Sequence, residues 1–380
     1  MTQAKAAPSH QPEKIHALTS LRFFAALIVV FFHTLLITVP SIATVRIIPR
    51  TVSIGYVSVS FFFLLSGYIL GMVYLRSERP INKGKFYAAR FARIYPLYLL
   101  TLLADTPDLL LSLREKLGWA GAVSKTAKPL IVHIVMLQSW ILGLRRIDGP
   151  NWSLSVEVIF YLLFPFIGIL IWRLKGWQLW ASAILVGVGG QLLVCWTTLH
   201  VADYAIRDNP ILHVSTFALG IFLARWQCLQ RDRWGSSPRR GSSIAIALIL
   251  AVIGFAALVH WQQLIPEASI RDGILAPVFL LIIWAFSANQ SLPARLVSPK
   301  WLVILGEASY GLYLIHMPVY HVWERLHLRA IPALYPVYLA ICIGLSVLSF
   351  YFVETPARKW ILRKLQTRSK ETMEAASDAQ

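Results

Sequence analysis

The stretch "TSLRFFAALIVVFFHTLL", residues 19–36, indicates the fold class of the whole chain. It is long and apolar enough to cross a bilayer, since a transmembrane helix needs about 20 mostly apolar residues. It nevertheless contains Arg22 near one end and His33 further along. An ionisable side chain inside a membrane costs free energy, so both residues are candidates for a functional role.

The rest of the sequence has the same membrane character. Hydrophobic residues make up 57% of the 380 residues and charged residues 14%, whereas soluble globular domains are about half apolar and a quarter charged. The net charge of +18 falls mostly in short segments between apolar runs. This pattern is typical of cytoplasmic loops and excludes a nucleic-acid-binding surface. The three cysteines lie in apolar stretches without metal-ligand spacing, so we expect no disulfide framework and no metal site.

The sequence predicts an all-α integral membrane protein with about ten transmembrane helices. A further apolar piece, residues 129–144, is short and bracketed by basic residues. We expect it to re-enter the membrane or to lie on its surface, because one extra crossing would invert everything after it. The ten predicted spans are residues 18–39, 52–75, 86–104, 152–172, 177–199, 210–228, 243–262, 271–289, 301–322 and 334–357.

Basic segments predict the orientation of these spans, because Lys and Arg accumulate on the cytoplasmic side. Both termini are then cytoplasmic, which requires an even number of crossings. The connection from Asp203 to Asp208 carries mixed charge and is expected outside; Arg46 and Arg50 also fall outside, against the rule. The basic segments are the N-terminal tail, residues 76–93, residues 225–240 and the tail after Arg358.

Three regions are predicted along the chain. Residues 1–17 are polar and form a cytoplasmic N-terminal tail. Residues 18–363 hold all the apolar runs and form one transmembrane domain. Residues 364–380 have almost no large apolar side chains and are expected to form a disordered cytoplasmic tail. On this division we expect no appended soluble catalytic domain.

Two spans carry cations near the cytoplasmic boundary. Arg22 and His33 share one helix face, with Arg22 one turn inside the boundary and His33 roughly 16 Å above it. In "KFYAARFARIYPLYLL", residues 85–100, Arg90 and Arg93 are spaced i, i+3 near the depth of Arg22. They are candidates for binding an anionic group; the alternative is that they extend to lipid phosphates and report only the orientation.

Two later spans place polar side chains near the depth of His33. Glu157 is expected about two turns below the outer surface, where a carboxylate needs an imidazole or an arginine as partner; the alternative is an ion pair that fixes helix packing. In "GEASYGLYLIHMPVY", residues 306–320, Tyr310 and His316 lie on nearby faces. His316 is a candidate hydroxyl binder or second base, or else a satisfied core histidine.

Two further patterns are interpreted as structural. Glu354 and Arg358 are spaced i, i+4 and are predicted to pair as a clip within one helix. The stretch "GYVSVSFFFLLSGYILG", residues 55–71, alternates small and aromatic residues, which favours close helix packing.

Six pieces of the sequence, in this order, resemble the acyltransferase 3 family of bacterial membrane O-acyltransferases. The likeness runs roughly from His16 to Arg363. The pieces are Arg22 with His33, "SFFFLLSGY" at 60–68, "RFAR" at 90–93, "NWSLSVEVIFY" at 151–161, "SYGLYLIHMP" at 309–318 and "FVETPAR" at 352–358.

The resemblance implies an enzyme of the bacterial cytoplasmic (inner) membrane that needs no bound cofactor. It implies transfer of an acyl group, commonly acetyl, from cytoplasmic acyl-CoA to a sugar hydroxyl of an envelope or exported glycan. Some members of the family add a C-terminal hydrolase-like domain that takes part in transfer. Because none is expected here, the acyl group could pass directly to the acceptor or first to a separate partner protein.

These expectations assign roles to the candidate residues. The three arginines would bind the CoA phosphates, since guanidinium groups bind phosphates bidentately. His33 would act as general base on the acceptor hydroxyl, or accept the acyl group itself, and Glu157 would orient it. Tyr310 and His316 would contact the substrate. The rival classes are a transporter of an anionic metabolite or glycan precursor, and a regulatory or scaffold membrane protein.

Overall fold

The computed structural model describes residues 15–45, 47–76, 80–144, 147–201, 204–231, 239–265, 267–271, 273–287 and 291–365. Within these ranges the chain is helical and contains no β-strand, as the all-α prediction requires. Residues 1–14 and 366–380, which make up most of the two predicted tails, lie outside the described residues. So do Arg46 and Asp203, on which part of the orientation argument depends.

Eleven main helices make up the described part of the chain. Three short helices, Ile47–Ser53, Glu267–Arg271 and Leu292–Leu296, lie in the connections. The main helices are α1 (His16–Thr38), α2 (Val57–Leu75), α3 (Lys83–Ile134), α4 (Trp152–Trp172), α5 (Gly176–His200), α6 (Pro210–Arg231), α7 (Arg239–Trp261), α8 (Ala276–Phe286), α9 (Lys300–Glu307), α10 (Ser309–Arg325) and α11 (Pro332–Leu365).

Each of the ten predicted spans corresponds to an apolar helix. In the described residues, eight helices, α1 to α7 and α11, are long and apolar enough to cross a membrane. Helices α9 and α10 together make a ninth candidate, bent by 58° where they meet. The span predicted at 271–289 is shorter in the structure, because its helix runs only over Ala276–Phe286. The chain is therefore a multi-pass membrane protein.

Helix α3 is much longer than the predicted span and consists of two arms. Gly118 interrupts it with non-helical dihedral angles (φ 70°, ψ 176°). The second arm returns along the first, because the hydroxyls of Tyr95 and Tyr98 donate to the carbonyls of Ile134 and His133 at 3.2 and 2.7 Å. The segment predicted at 129–144 thus begins inside this second arm. Pro129 does not end the helix; the break lies at Gly118.

Close backbone contacts between helices hold the bundle together. A Cβ atom on Gly67 of α2 would lie 2.0 Å from the Phe217 carbonyl oxygen of α6, and one on Gly220 would lie 2.0 Å from the Leu64 oxygen. A Cβ atom on Gly306 of α9 would lie 2.1 Å from a backbone oxygen of α1. Small residues permit such contacts between membrane helices. These contacts fix α2 against α6 and α1 against α9.

Candidate functional site

A cavity of about 160 Å³ lies where α1, α2, α3, α4 and α10 meet. Its lining is mostly apolar and aromatic, with hydroxyl groups at Ser66, Ser153 and Ser309. Most of the candidate residues from the sequence line this cavity: Arg22, Arg90, Arg93, Glu157 and Tyr310. His33 and His316 lie elsewhere, as a contacting pair between α1 and α10.

Arg90 is held at the cavity by aromatic rings. Its Nη2 donates to the Tyr74 hydroxyl at 3.3 Å. Its guanidinium carbon lies 5.7 Å from the ring centroids of Tyr74 and Tyr161 and 6.0 Å from that of Phe86. Such cation–π contacts stabilise a cation that has lost water. This arrangement directs Arg90 into the protein and does not match an arginine that extends to lipid phosphates.

Arg93 pairs with a carboxylate from the end of the chain. Its Nη1 lies 3.9 Å from Glu354 Oε2, and its guanidinium lies over the Tyr310 ring at 5.9 Å. The ion pair predicted between Glu354 and Arg358 is not formed among these described side chains. Glu354 ends a π-helical turn, Phe350–Glu354, in which the wider i, i+5 spacing changes the face that a residue presents. A prediction based on regular α-helical spacing therefore chose the wrong partner.

Glu157 belongs to the arginine cluster. It accepts a hydrogen bond from the Tyr161 hydroxyl at 2.5 Å, one turn further along α4. It also interacts electrostatically with Arg22 and Arg90. No hydrogen bond or ion pair joins Glu157 to His33 in the described residues. No direct contact therefore supports the prediction that Glu157 orients His33. Glu307 also acts on Arg22, and Arg358 acts on Arg90 and Arg93, so four arginines and three carboxylates interact here and leave one net positive charge.

His33 and His316 form a pair whose tautomers follow from their backbone contacts. His33 Nδ1 lies 2.9 Å from the Val29 oxygen, and His316 Nδ1 lies 3.3 Å from the Leu312 oxygen. Because a carbonyl oxygen only accepts, each Nδ1 is assigned the proton. His316 Nε2, at 3.4 Å from His33 Nδ1, then acts as an acceptor. In this tautomer the basic nitrogen of the His33 ring is Nε2.

Tyr313 separates this histidine pair from the cavity. It lines the cavity, and its ring centroid lies 6.2 Å from that of His316. Its hydroxyl donates to the Pro150 oxygen at 2.9 Å and lies 2.7 Å from Ser153 Oγ. Tyr310, in contrast, donates its hydroxyl to the Ile94 oxygen at 2.7 Å. Tyr310 thus presents its ring to the cavity, while its polar atom fixes α10 to α3.

Three residues around the cavity were missed as functional candidates. Tyr161 follows Glu157 by one helical turn within the same motif, so its contact with Glu157 could have been anticipated. Glu354 lies in a recognised motif but was assigned a different partner. Tyr74 carries no signal in the sequence, because it lies in a π-helical turn of α2 (Gly71–Leu75) whose position hydropathy does not reveal.

Comparison with known proteins identifies the family of the chain. A family model described as "Acyltransferase domain" matches residues 15–352. Over 332 residues the chain is 30% identical to acyltransferase MdmB of Streptomyces mycarofaciens, which covers 82% of this chain and 81% of MdmB. It is 26% identical to nodulation protein 10 of Rhizobium leguminosarum, with 79% of this chain and 82% of that protein covered.

A third relative is longer than this chain. The chain is 25% identical to O-acetyltransferase OatA of Staphylococcus aureus over 92% of its own length, but it spans only 58% of OatA. No solved structure matches the chain. The family model covers most of the sequence, and it confirms the resemblance drawn from the six motifs. The chain belongs to the acyltransferase family and is a membrane-embedded acyltransferase.

Proposed function

We propose that this acyltransferase moves an acyl group, most simply acetyl, from acyl-CoA to a sugar hydroxyl of a cell-surface or exported glycan. The observation that carries the proposal is the arginine-lined cavity beside the contacting pair of His33 and His316. The O-acetyltransferase OatA among the relatives supports the acetyl group and the oxygen acceptor. We further propose that the protein lies in the bacterial cytoplasmic membrane with both termini inside.

The donor would bind with its phosphates at the arginines. Acyl-CoA has an anionic nucleotide end and a thin pantetheine arm ending in a thioester. Guanidinium groups recognise phosphates through paired hydrogen bonds, and Arg22, Arg90 and Arg93 all line the cavity. The apolar lining, which includes Phe62 and Ile69, suits the arm. The arm would bring the thioester toward the Tyr313 side of the cavity, where the histidine pair lies.

Transfer would then use His33 as general base. Its Nε2 removes the hydroxyl proton while the acceptor oxygen attacks the thioester carbonyl carbon. The carbon–sulfur bond breaks, and the departing thiolate takes up the proton from His33. The single Nδ1–H of His33 faces both the Val29 oxygen, at 2.9 Å, and His316 Nε2, at 3.4 Å. These two acceptors favour the required tautomer before the reaction and stabilise the imidazolium formed during it.

Purified protein incubated with labelled acetyl-CoA and a glycan fraction tests the proposal. Release of CoA with transfer of label to glycan is the expected result. Movement of a solute across vesicles without turnover of acetyl-CoA would instead identify a carrier. Label that accumulates only when a second protein is added would show that the acyl group passes through a partner. Purified chain that transfers label by itself would show that no partner is required.

A further inference from the structure

A second group of polar side chains lies near Tyr313, outside the arginine-lined cavity. We call it the Asp105–Asp148 cluster; it comprises Asp105 of α3, Gln138, Asp148, Asn151 and His321 of α10. These residues come from three separate parts of the chain. Asp105 and Asp148 are 1% exposed and Asn151 is fully buried. The cavity assigned to the donor does not include any of them.

The cluster contains polar atoms that the protein leaves unsatisfied. His321 Nδ1 lies 2.6 Å from Asp105 Oδ1, and Gln138 Nε2 donates to the Asn151 backbone oxygen at 2.7 Å. Both carboxylate oxygens of Asp148, both polar side-chain atoms of Asn151 and Asp105 Oδ2 make no hydrogen bond to the described residues. Burying a polar group without a partner is costly, so such a concentration of unpaired atoms calls for partners from outside the chain, either water or a ligand.

The position of the cluster relates it to the histidine pair. The Tyr313 hydroxyl donates to the oxygen of Pro150, the residue before Asn151. Asp148 acts electrostatically on both Tyr313 and Asp105. Tyr313 in turn contacts the His316 ring. The Tyr313 side chain therefore has the arginine-lined cavity on one side and this cluster on another, and it lies beside the pair that contains His33.

We propose that the Asp105–Asp148 cluster is the acceptor site and binds a neutral polyhydroxylated ring, such as a hexopyranoside. The inference rests on the proposed function, since it assumes that a hydroxyl compound receives the acyl group. Carboxylate oxygens accept hydrogen bonds from hydroxyl groups, and an Asn side chain can both donate and accept. The cluster has two acidic side chains and one histidine, so it offers no excess of positive charge to an anionic sugar. Donor and acceptor then approach the histidines from separate sides.

Access to the cluster passes the irregular segment 135–144 between α3 and α4. Gln138 and Ser139 in this segment hydrogen-bond to the backbone oxygens of Asn151 and Trp152 at 2.7 and 2.8 Å. Acceptor binding replaces the missing partners of Asp148 and Asn151 once these two contacts open. The segment 135–144 itself contains no regular helix.

The test uses purified full-length protein, acetyl-CoA and soluble probes. The probes are the methyl β-pyranosides of glucose, galactose and mannose, with methyl β-D-glucuronide as the matched anionic probe. CoA release is measured against probe concentration. The parent protein is expected to show saturable release with at least one neutral probe and little with the glucuronide. In Asp148→Asn and Asn151→Ala, the KM for the neutral probe should rise about tenfold or more.

Controls separate a changed acceptor site from a damaged protein. Binding of acetyl-CoA should stay within about twofold of the parent in both variants. Glu115→Gln, which removes an exposed carboxylate from α3, should leave every parameter unchanged. Asp148→Asn should also accept the glucuronide better relative to glucoside. This gain would not follow from a purely structural role.

Two results would overturn the assignment. Unchanged probe KM in both variants would mean that water satisfies the cluster. A parent protein that binds acetyl-CoA but responds to none of the neutral probes would place the acceptor elsewhere. A parent protein that neither binds nor consumes acetyl-CoA would instead contradict the proposed function, so the two failures are distinguishable.

Discussion

His316 Nε2 lies 3.4 Å from His33 Nδ1, although 283 positions separate the two residues in the chain. The contact joins α10 to α1 and is supported from α11, where the Tyr338 hydroxyl donates to the His316 oxygen at 3.0 Å. His316 is fully buried, whereas His33 is partly exposed. The exposed member of the pair is thus the one able to meet a substrate, and the buried member positions it.

This difference predicts that loss of His33 removes chemistry and spares donor binding. His33→Gln should lower acyl transfer by about 10² to 10⁴, the usual contribution of a positioned general base. Equilibrium binding of acetyl-CoA should stay near the parent value, because His33 does not line the arginine cavity. The measurement is CoA release at saturating donor together with donor affinity. Near-parental transfer by a well-expressed His33→Gln protein would contradict the assignment.

Arg22 is the matched control on the same helix. It lies eleven positions before His33 and lines the cavity. Arg22→Ala should therefore weaken donor binding more than it slows transfer at saturating donor. If Arg22→Ala instead slowed transfer and His33→Gln weakened donor binding, the roles assigned to Arg22 and His33 would have to be exchanged.

Arg90 is expected to contribute directly to donor affinity. Arg90→Ala should weaken acetyl-CoA binding by about 1.5 to 3 kcal/mol, the range for a hydrogen bond to a charged group. Arg90→Lys should restore only part of the lost binding free energy. An ammonium group lacks the planar set of donors of a guanidinium group and packs less well among Tyr74, Phe86 and Tyr161. Titration calorimetry measures both. Lys85→Ala, at an exposed position five residues earlier on α3, should leave affinity unchanged; a loss as large as that of Arg90→Ala would point to general surface charge.

The Arg93–Glu354 pair is expected to matter for stability. Only 4% of the Glu354 side chain is exposed, so Glu354→Gln leaves Arg93 partly buried without its counter-charge. Breaking a buried pair costs about 3 to 5 kcal/mol, and replacement of both partners by apolar residues recovers much of it. Thermal unfolding in nanodiscs should therefore show a lower Tm for Glu354→Gln and partial recovery for Arg93→Met with Glu354→Leu.

A surface pair provides the comparison for this prediction. Glu324 pairs with Arg329, and their side chains are 47% and 43% exposed. Glu324→Gln should change stability by less than about 1 kcal/mol, as exposed pairs usually do. Equal shifts of Tm in Glu324→Gln and Glu354→Gln would show that burial does not determine how much stability is lost when an ion pair is broken.

Gly306 is predicted to be intolerant of any side chain. The Cβ atom of Gly306→Ala would lie 2.1 Å from the Thr19 oxygen, so α1 would have to move away from α9. Overpacking of this kind costs about 1 to 3 kcal/mol, which exceeds the gain in helix propensity from glycine to alanine. Gly344→Ala, with no atom within 4 Å of its Cβ, should be neutral or stabilising. Thermal unfolding of both variants measures the difference, and equal behaviour would contradict the close packing.

The sequence anticipated features that depend on local chemistry. Apolar runs located the spans, and helical spacing placed Arg90 and Arg93 together. Features that depend on backbone irregularity were not predicted. The π-helical turn changes the direction of the Glu354 side chain. The break at Gly118 lies in the polar stretch "REKLGWAGAVSK", where hydropathy does not show where one helix ends and the next begins. The contact between His33 and His316 was not predicted either, because glycine contacts between distant helices decide which faces meet.

The first arm of helix α3 is longer than the hydrocarbon core of a bilayer is thick. Residues 83–117 would extend about 52 Å as a straight helix, whereas the hydrocarbon core is about 30 Å thick. Counted from Phe86, about 20 residues bring the helix across the core to Asp105. The first arm continues past the core to the break at Gly118, and the second arm then returns beside Tyr95 and Tyr98, within the thickness of the core. By this count Asp105 lies at the end of the core crossing, which would put the proposed acceptor site within reach of a glycan too polar to enter the membrane.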